Sequence, residues 1–215
     1  MSAALTPDEL LDLTTRTVGH YDASAESFKT GTWEHDVSQN RAALIDAIAL
    51  PAPRPLRVLD FGCGPGRDLV WFREQGHEPT GLDGSARFVT MARAASGCEV
   101  LHQDMLSLAL PPEHFDGVFA NASLFHVPAQ ELPRVLGQLH ATLRPGGVLF
   151  TSNPRAMGED SEGWNGARYG SYHSYDRWRA FLDLAGFDEL RHYYRPDGKP
   201  RAEQPWLATV SRKRR

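Results

Sequence analysis

The chain reads as an α/β fold, with a mostly parallel sheet covered on both faces by helices and closed by an antiparallel last strand. Three observations predict it. Short apolar runs alternate with helix-periodic segments through the middle of the chain. A glycine-rich turn, "GCGPG" from Gly62, joins the first of these runs to a helix. The last two runs are separated only by "RPDGKPRAEQP", too short for a crossover helix, so they pair as a hairpin.

The elements follow in order. A capping box, Thr6 with Glu9 and Pro7 at the first helical position, opens a helix. A segment rich in aromatic and polar residues follows, Val18 to Asn40. A second helix is expected from about Gln39 to Leu50, with Leu44, Ile45 and Ile48 on one face, closed by "PAPRP". Strands are expected at Leu56 to Phe61, Glu78 to Leu82, Glu99 to His102, Phe115 to Ala120 and Val148 to Ser152. Between them lie helices at Arg67 to Gln75, Ser85 to Ala95 and Ala129 to Leu143, the last striped by Leu132, Leu136, Leu139 and Leu143. Asn153 to His173 reads as a long Gly/Trp/Tyr-rich loop. A helix then runs from a Ser174 cap to a Gly186 stop, and strands at Glu189 to Tyr194 and Trp206 to Ser211 complete the chain.

Bulk properties narrow the function classes. With 215 residues, 41% hydrophobic and 23% charged, and no apolar run near the length of a bilayer span, one globular domain is expected. The N-terminal residues lack a basic region followed by an apolar core, so no secretory signal is read and the expected location is the cytoplasm. The net charge is −4, and the terminal "RKRR" supplies four positive charges, so the rest carries −8. That balance disfavours a nucleic-acid partner. Two cysteines, Cys63 and Cys98, are too few for a disulfide framework or a thiolate metal site, and no metal is expected.

The glycine turn is the chemical signal. A strand feeding such a turn into a helix places unpaired backbone N–H groups at the carboxyl edge of the sheet, and Gly62, Gly64 and Gly66 allow a ligand close to bare main chain. Asp83 follows the second strand and suits a carboxylate accepting from ribose hydroxyls. The pattern departs from the dinucleotide fingerprint, no Gly-Lys-Ser/Thr follows for a polyphosphate loop, and Asp60 just before the turn favours a cationic ligand over a polyphosphate.

Five segments in order, "VLDFGCGPGRD" (58–68), "GLDGS" (81–85), "HQDML" (102–106), "FDGVFANASLFHV" (115–127) and "LRPGGVLF" (143–150), resemble the successive motifs of the class I S-adenosylmethionine-dependent methyltransferases. The resemblance implies a doubly wound, Rossmann-like seven-stranded sheet whose terminal hairpin supplies strands six and seven. It implies S-adenosyl-L-methionine as cofactor and S-adenosyl-L-homocysteine as its product. Position by position, it places Asp60, Gly62, Cys63 and Gly64 around the methionine portion, Asp83 with Gly84 and Ser85 at the ribose, and Asp104 with Met105 at the adenine. Asn121 and Ala122 would face the methyl end, and Tyr21 would fold over the cofactor. Three parts are expected: an N-terminal helical cover (1–50), a cofactor core (51–152), and a substrate-side loop, helix and hairpin (153–215).

Methyl transfer asks for a positioned, unprotonated nucleophile, and a general base only where the acceptor carries a proton. His126, His173 and His35 are the candidate bases, each competing with the reading of a histidine held by a backbone carbonyl. The 153–173 loop and the 195–201 turn lie on the ligand side and are rich in arginine. Arg155, Arg168 and Arg195, flanked by Trp164, Tyr169 and Tyr172, are the candidate acceptor-binding residues, which suits a small anionic or zwitterionic metabolite. A protein- or RNA-directed enzyme and a silent cofactor-binding regulatory subunit are the alternatives. The acceptor atom and the oligomeric state are not written in these motifs.

Overall fold

The computed structural model describes residues 4–48 and 54–214. Its centre is a seven-stranded sheet in the order β3-β2-β1-β4-β5-β9-β8. The strands are β1 (Arg57–Phe61), β2 (Glu78–Asp83), β3 (Val100–His102), β4 (Phe115–Asn121), β5 (Leu143–Pro154), β8 (Phe187–Arg195) and β9 (Trp206–Lys213), with β6 (Ser161–Asn165) and β7 (Arg168–Tyr172) in a separate hairpin. The helices are α1 (Pro7–Thr32), α2 (Ser38–Ala47), α3 (Arg67–Glu74), α4 (Ala86–Ser96), α5 (Leu132–Thr142) and α6 (Tyr175–Leu184). β1 pairs in parallel with both β2 and β4, so the chain winds outward to β3 and then returns to the other side of β1. Only β9 runs against its neighbours, β5 and β8, as the short terminal connection requires.

Both faces of the central strands are apolar, as a sheet buried between helix layers demands. Val58, Phe119, Val148 and Phe150 pack under Leu44 of α2 and Phe72 of α3. Their strand neighbours Leu59, Val118, Ala120 and Leu149 face the α5 stripe, where Leu132, Leu136 and Leu139 are fully buried, together with Trp178 of α6. The Trp178 indole N–H reaches the hydroxyls of Thr151 and Thr209 at 3.2 and 3.3 Å, and the two hydroxyls lie 2.7 Å apart, so these three buried groups satisfy one another.

Three expectations need correction. The first helix continues through the aromatic segment to Thr32, with its capping box formed as expected, so Tyr21 lies on a helix rather than in a loop. The 153–173 loop contains the β6–β7 hairpin, whose turn is Gly166–Ala167. β5 starts at Leu143, directly after α5, and not at Val148. The expected end of the second helix at Leu50 and the first residues of "PAPRP" lie outside the described residues.

Candidate active site

At the carboxyl ends of β1, β2 and β4, where the strand order reverses, lies a cavity of about 710 Å³. Its floor is the turn after β1. Gly62 has φ +77°, and a Cβ there would meet Ser123 Cβ at 2.4 Å, so no side chain fits. The turn spends its N–H groups internally: Gly62 and Cys63 donate to Leu82 O, and Gly66 donates to Cys63 O. Gly64 N–H donates to Asp83 Oδ2 at 2.9 Å. The expectation of unpaired N–H groups at these residues is therefore corrected. What the turn contributes is the space of missing side chains and the anchoring of Asp83.

Asp83 is held at both oxygens, Oδ1 accepting from Ser85 N–H at 2.9 Å, and each oxygen keeps a lone pair for a further donor. Burial pushes its pKa up to about 6, while the two backbone bonds pull the other way. Asp60 lies beneath the turn, 3% exposed, with Oδ2 unpartnered among the described residues. Burial, and next the neighbouring Asp68 charge, raise its carboxyl well above the usual range. Of the twelve predicted cofactor residues Asp60 alone does not line the cavity. Tyr21, Gly62, Cys63, Gly64, Asp83, Gly84, Ser85, Asp104, Met105, Asn121 and Ala122 all do. Asp104 Oδ1 accepts from Leu106 N–H at 2.8 Å, which orients the carboxyl beside Met105.

The opposite half is built from the end of β4, from α1 and from the hairpins. Ala122 holds φ +60°, a conformation that costs energy for a residue with a Cβ, and its N–H is bonded to Ser152 O at 2.7 Å. His126 lies four residues further on, at the end of the short 3-10 turn Leu124–His126. Its Nδ1 is 2.7 Å from Tyr169 O, and a carbonyl only accepts, so Nδ1 carries the proton. Nε2 is then the acceptor for the Tyr21 hydroxyl at 2.7 Å, and Arg168 Nη1 donates to that hydroxyl at 3.3 Å. Burial lowers the His126 pKa to about 4, so the ring is neutral at pH 7 with both nitrogens engaged. Near the 195–206 turn, Asn40 bridges Asn121, Tyr193 and Arg195.

The other predicted residues separate. Arg168, Arg195 and His35 line the cavity, His35 from an exposed position. Arg155 is turned away, donating to Gln204 O at 2.8 Å and Arg201 O at 2.7 Å. Trp164 is 41% exposed, with the Arg16 guanidinium stacked 3.7 Å over its ring. Tyr169 contributes its backbone to His126 and Thr17, and Tyr172 packs its ring 6.3 Å from Phe125; neither lines the cavity. His173 is buried in a separate small pocket with Asn153 and Trp178, so the structure does not bring it to the other candidates. No metal-ligating cluster exists among the described residues.

Sequence reasoning missed Asn40, Ser152 and Trp206, and the aromatic wall of Phe28 and Phe88. It also missed the buried Asp68, clamped at 2.6 and 2.7 Å by Arg41 and Arg67. The spacing of Phe28 seven residues after Tyr21 would have placed both on one helix face had α1 been extended through them.

A family model described as a methyltransferase domain matches residues 58–147. A malonyl-[acyl-carrier protein] O-methyltransferase of Enterobacter lignolyticus is 36% identical over 121 residues, covering 55% of this chain and 47% of that protein. A trans-aconitate 2-methyltransferase of Paracidovorax citrulli is 36% identical over 116 residues, 52% and 44% of the two chains. The chain thus spans about half the length of the curated relatives it matches. The solved structure of 1,6-didemethyltoxoflavin-N1-methyltransferase from Burkholderia thailandensis, with bound 1,6-didemethyltoxoflavin and S-adenosylhomocysteine, has a TM-score of 0.78 at 24% identity. That likeness of fold covers 100% of this chain and 93% of the other.

Proposed function

We infer that the chain belongs to the class I S-adenosylmethionine-dependent methyltransferases, and we propose that it methylates a small anionic or zwitterionic metabolite. The observation that carries the reading is Asp83: a buried carboxylate with one open lone pair on each oxygen, at the edge of a cavity floored by a turn without side chains. Those features fit a ribose diol and an extended thioether chain. Asp83 would hold the ribose hydroxyls, Asp104 the adenine amino group, and Gly62 to Gly64 the methionine chain. Met105, Phe88 and Phe28 add apolar walls. When bound, the cofactor supplies a sulfonium methyl group that is already electrophilic.

The remaining work belongs to the protein's own residues. Tyr21 and its helix line the cavity and would screen a bound ligand from water. Ordinary imidazole base catalysis is unavailable to His126, whose Nε2 accepts from Tyr21 and whose conjugate acid is destabilised by burial. In this reading His126 orients Tyr21, and the acceptor arrives already deprotonated. Arg168 and Arg195 supply positive charge to the acceptor half. The relatives' names, malonyl and trans-aconitate, denote carboxylates, which supports an anionic acceptor here. Residues 1–50 act as cover, 51–152 as cofactor core and 153–215 as the substrate side. No helix among the described residues is long and apolar enough to cross a membrane.

The test is turnover. Purified protein given S-adenosylmethionine and a panel of small carboxylic acids should release S-adenosylhomocysteine, and calorimetry should show a saturable site for the latter. Tight binding with no release against small acids, proteins or RNA would instead mark a silent cofactor-binding subunit.

A further inference from the structure

Asn40 is 3% exposed in the first turn of α2, yet its side chain ties together three other side chains, from β4 and β8. Its Oδ1 accepts from Arg195 Nη1 at 3.1 Å and from the Tyr193 hydroxyl at 2.8 Å. Its Nδ2 donates to Asn121 Oδ1 at 2.9 Å. Guanidinium groups donate and never accept, so the amide atom facing Arg195 must be oxygen. The other end of the Asn40 amide is then NH2, and Asn121 must answer it with its own oxygen. What remains for Asn121 to offer the cavity is its amino group. Arg195 is itself fixed, because Nη2 donates to Asp36 O at 3.1 Å. The direction of both amides is therefore set from Arg195 through Asn40.

We propose that Arg195, Asn40 and Asn121 form a polarity relay in which Asn40 is a positioning residue, presenting Asn121 as a hydrogen-bond donor and selecting an acceptor whose reactive end is an unprotonated oxygen of the carboxylate class. The inference rests on the methyltransferase reading and goes beyond it by naming the acceptor group. A carboxylate takes one N–H from Asn121 and more from the Arg195 fork. An amine or amide N–H would meet these groups donor to donor and lose a buried hydrogen bond. The neighbouring groups agree with this choice. Ala122 N–H is spent on Ser152 O, and His126 has no nitrogen free to take a proton, which a carboxylate does not require.

Calorimetry on protein saturated with S-adenosylhomocysteine tests the relay, with malonate and its neutral isostere malonamide as probes. Wild type should prefer malonate. Asn40→Asp presents oxygen at both ends, so Asn121 turns over and shows its oxygen to the cavity. Malonate binding should fall at least tenfold, while S-adenosylhomocysteine affinity stays within threefold. Asn40→Ala adds no charge, and the malonate-to-malonamide ratio should still fall at least threefold. Arg195→Lys keeps a donor on Asn40 and should retain the preference, which Arg195→Met, with no donor, should lose. That pair decides the matter if the Asn40 variants do not fold. Wild-type malonate preference in the Asn40 variants, or in Arg195→Met, with cofactor affinity intact would overturn the relay. So would a wild type that does not favour malonate. If wild type gives no heat with S-adenosylhomocysteine, the methyltransferase reading itself fails first.

Discussion

The ionisation of Asp83 gives a direct test of its place beside the cofactor. Burial lifts its pKa from 3.8 to about 6. At about 1.4 kcal/mol per tenfold change in proton affinity, the ionised carboxylate costs the ligand-free protein about 3 kcal/mol. The sign follows from the folded value lying above the unfolded one. The two states are balanced below pH 4, and stability from this group is lost as the pH rises from about 4 through about 6. Ribose hydroxyls donating to the two open lone pairs would favour the ionised form and return part of that cost on binding. S-adenosylhomocysteine affinity should then strengthen as the pH rises, by about tenfold between pH 5 and pH 7. About one proton should leave per ligand bound at pH 5. The assay is titration calorimetry at pH 5, 6, 7 and 8 in buffers of contrasting ionisation enthalpy, with Asp83→Asn as a variant that cannot titrate. An affinity that differs by less than twofold between pH 5 and 7, with no proton released, would refute the assignment of Asp83 to the ribose.

Other outcomes follow from the same geometry. Gly62→Ala combines φ +77° with a 2.4 Å approach to Ser123 Cβ. It should lose about 2–5 kcal/mol of folding or cofactor-binding free energy, read by thermal shift with and without S-adenosylhomocysteine. His126, held to about 4 by burial, should remain neutral to below pH 5 in an NMR titration of its ring, and a midpoint near 6.5 would contradict the buried Tyr21 pair. Its folded value lies below the unfolded one, so its contribution to stability is lost as the pH falls from 6.5 towards 4. Tyr21→Phe leaves His126 Nε2 and Arg168 without their shared partner, and the ring titration should then move. Trp178→Phe removes the indole N–H from the Thr151 and Thr209 hydroxyls, and chemical denaturation should show a loss of about 1–3 kcal/mol with cofactor affinity unchanged.

The sheet was legible in the sequence because its signals are local. Val58 to Phe61 and Phe115 to Ala120 are apolar on both faces apart from Asp60 and Asp116, and "GCGPG" has the glycines that a Cβ-free floor requires. The β6–β7 hairpin was not, since Ser161 to Tyr172 has no alternation of buried and exposed apolar residues to announce strands. The dipeptide Asn165–Gly166 at its turn was the available signal. α1 was cut short because Gly19 and the polar run after it have weak helix propensity. Tertiary contact outweighs this: Thr17 bonds Tyr169, and Tyr21 bonds His126. The half of the cavity proposed for the cofactor comes from strand ends close to their motifs, so its residues could be named. The half proposed for the acceptor includes Asn40, Asn121 and Arg195, side chains from three distant segments whose meeting no spacing encodes. Arg155 and Trp164 had the right chemistry in the right segments, but side-chain direction was settled by carbonyls and by Arg16.

Only Leu13, Thr17 and Ala25 of the 26 residues in α1 are buried, although the helix spans the cavity with Thr17, Val18, Tyr21 and Phe28. On the proposed reading, a ligand filling the space beneath this helix adds the contacts that its own surface lacks, so the helix packs more tightly over an occupied cavity and must lift to release what it covers.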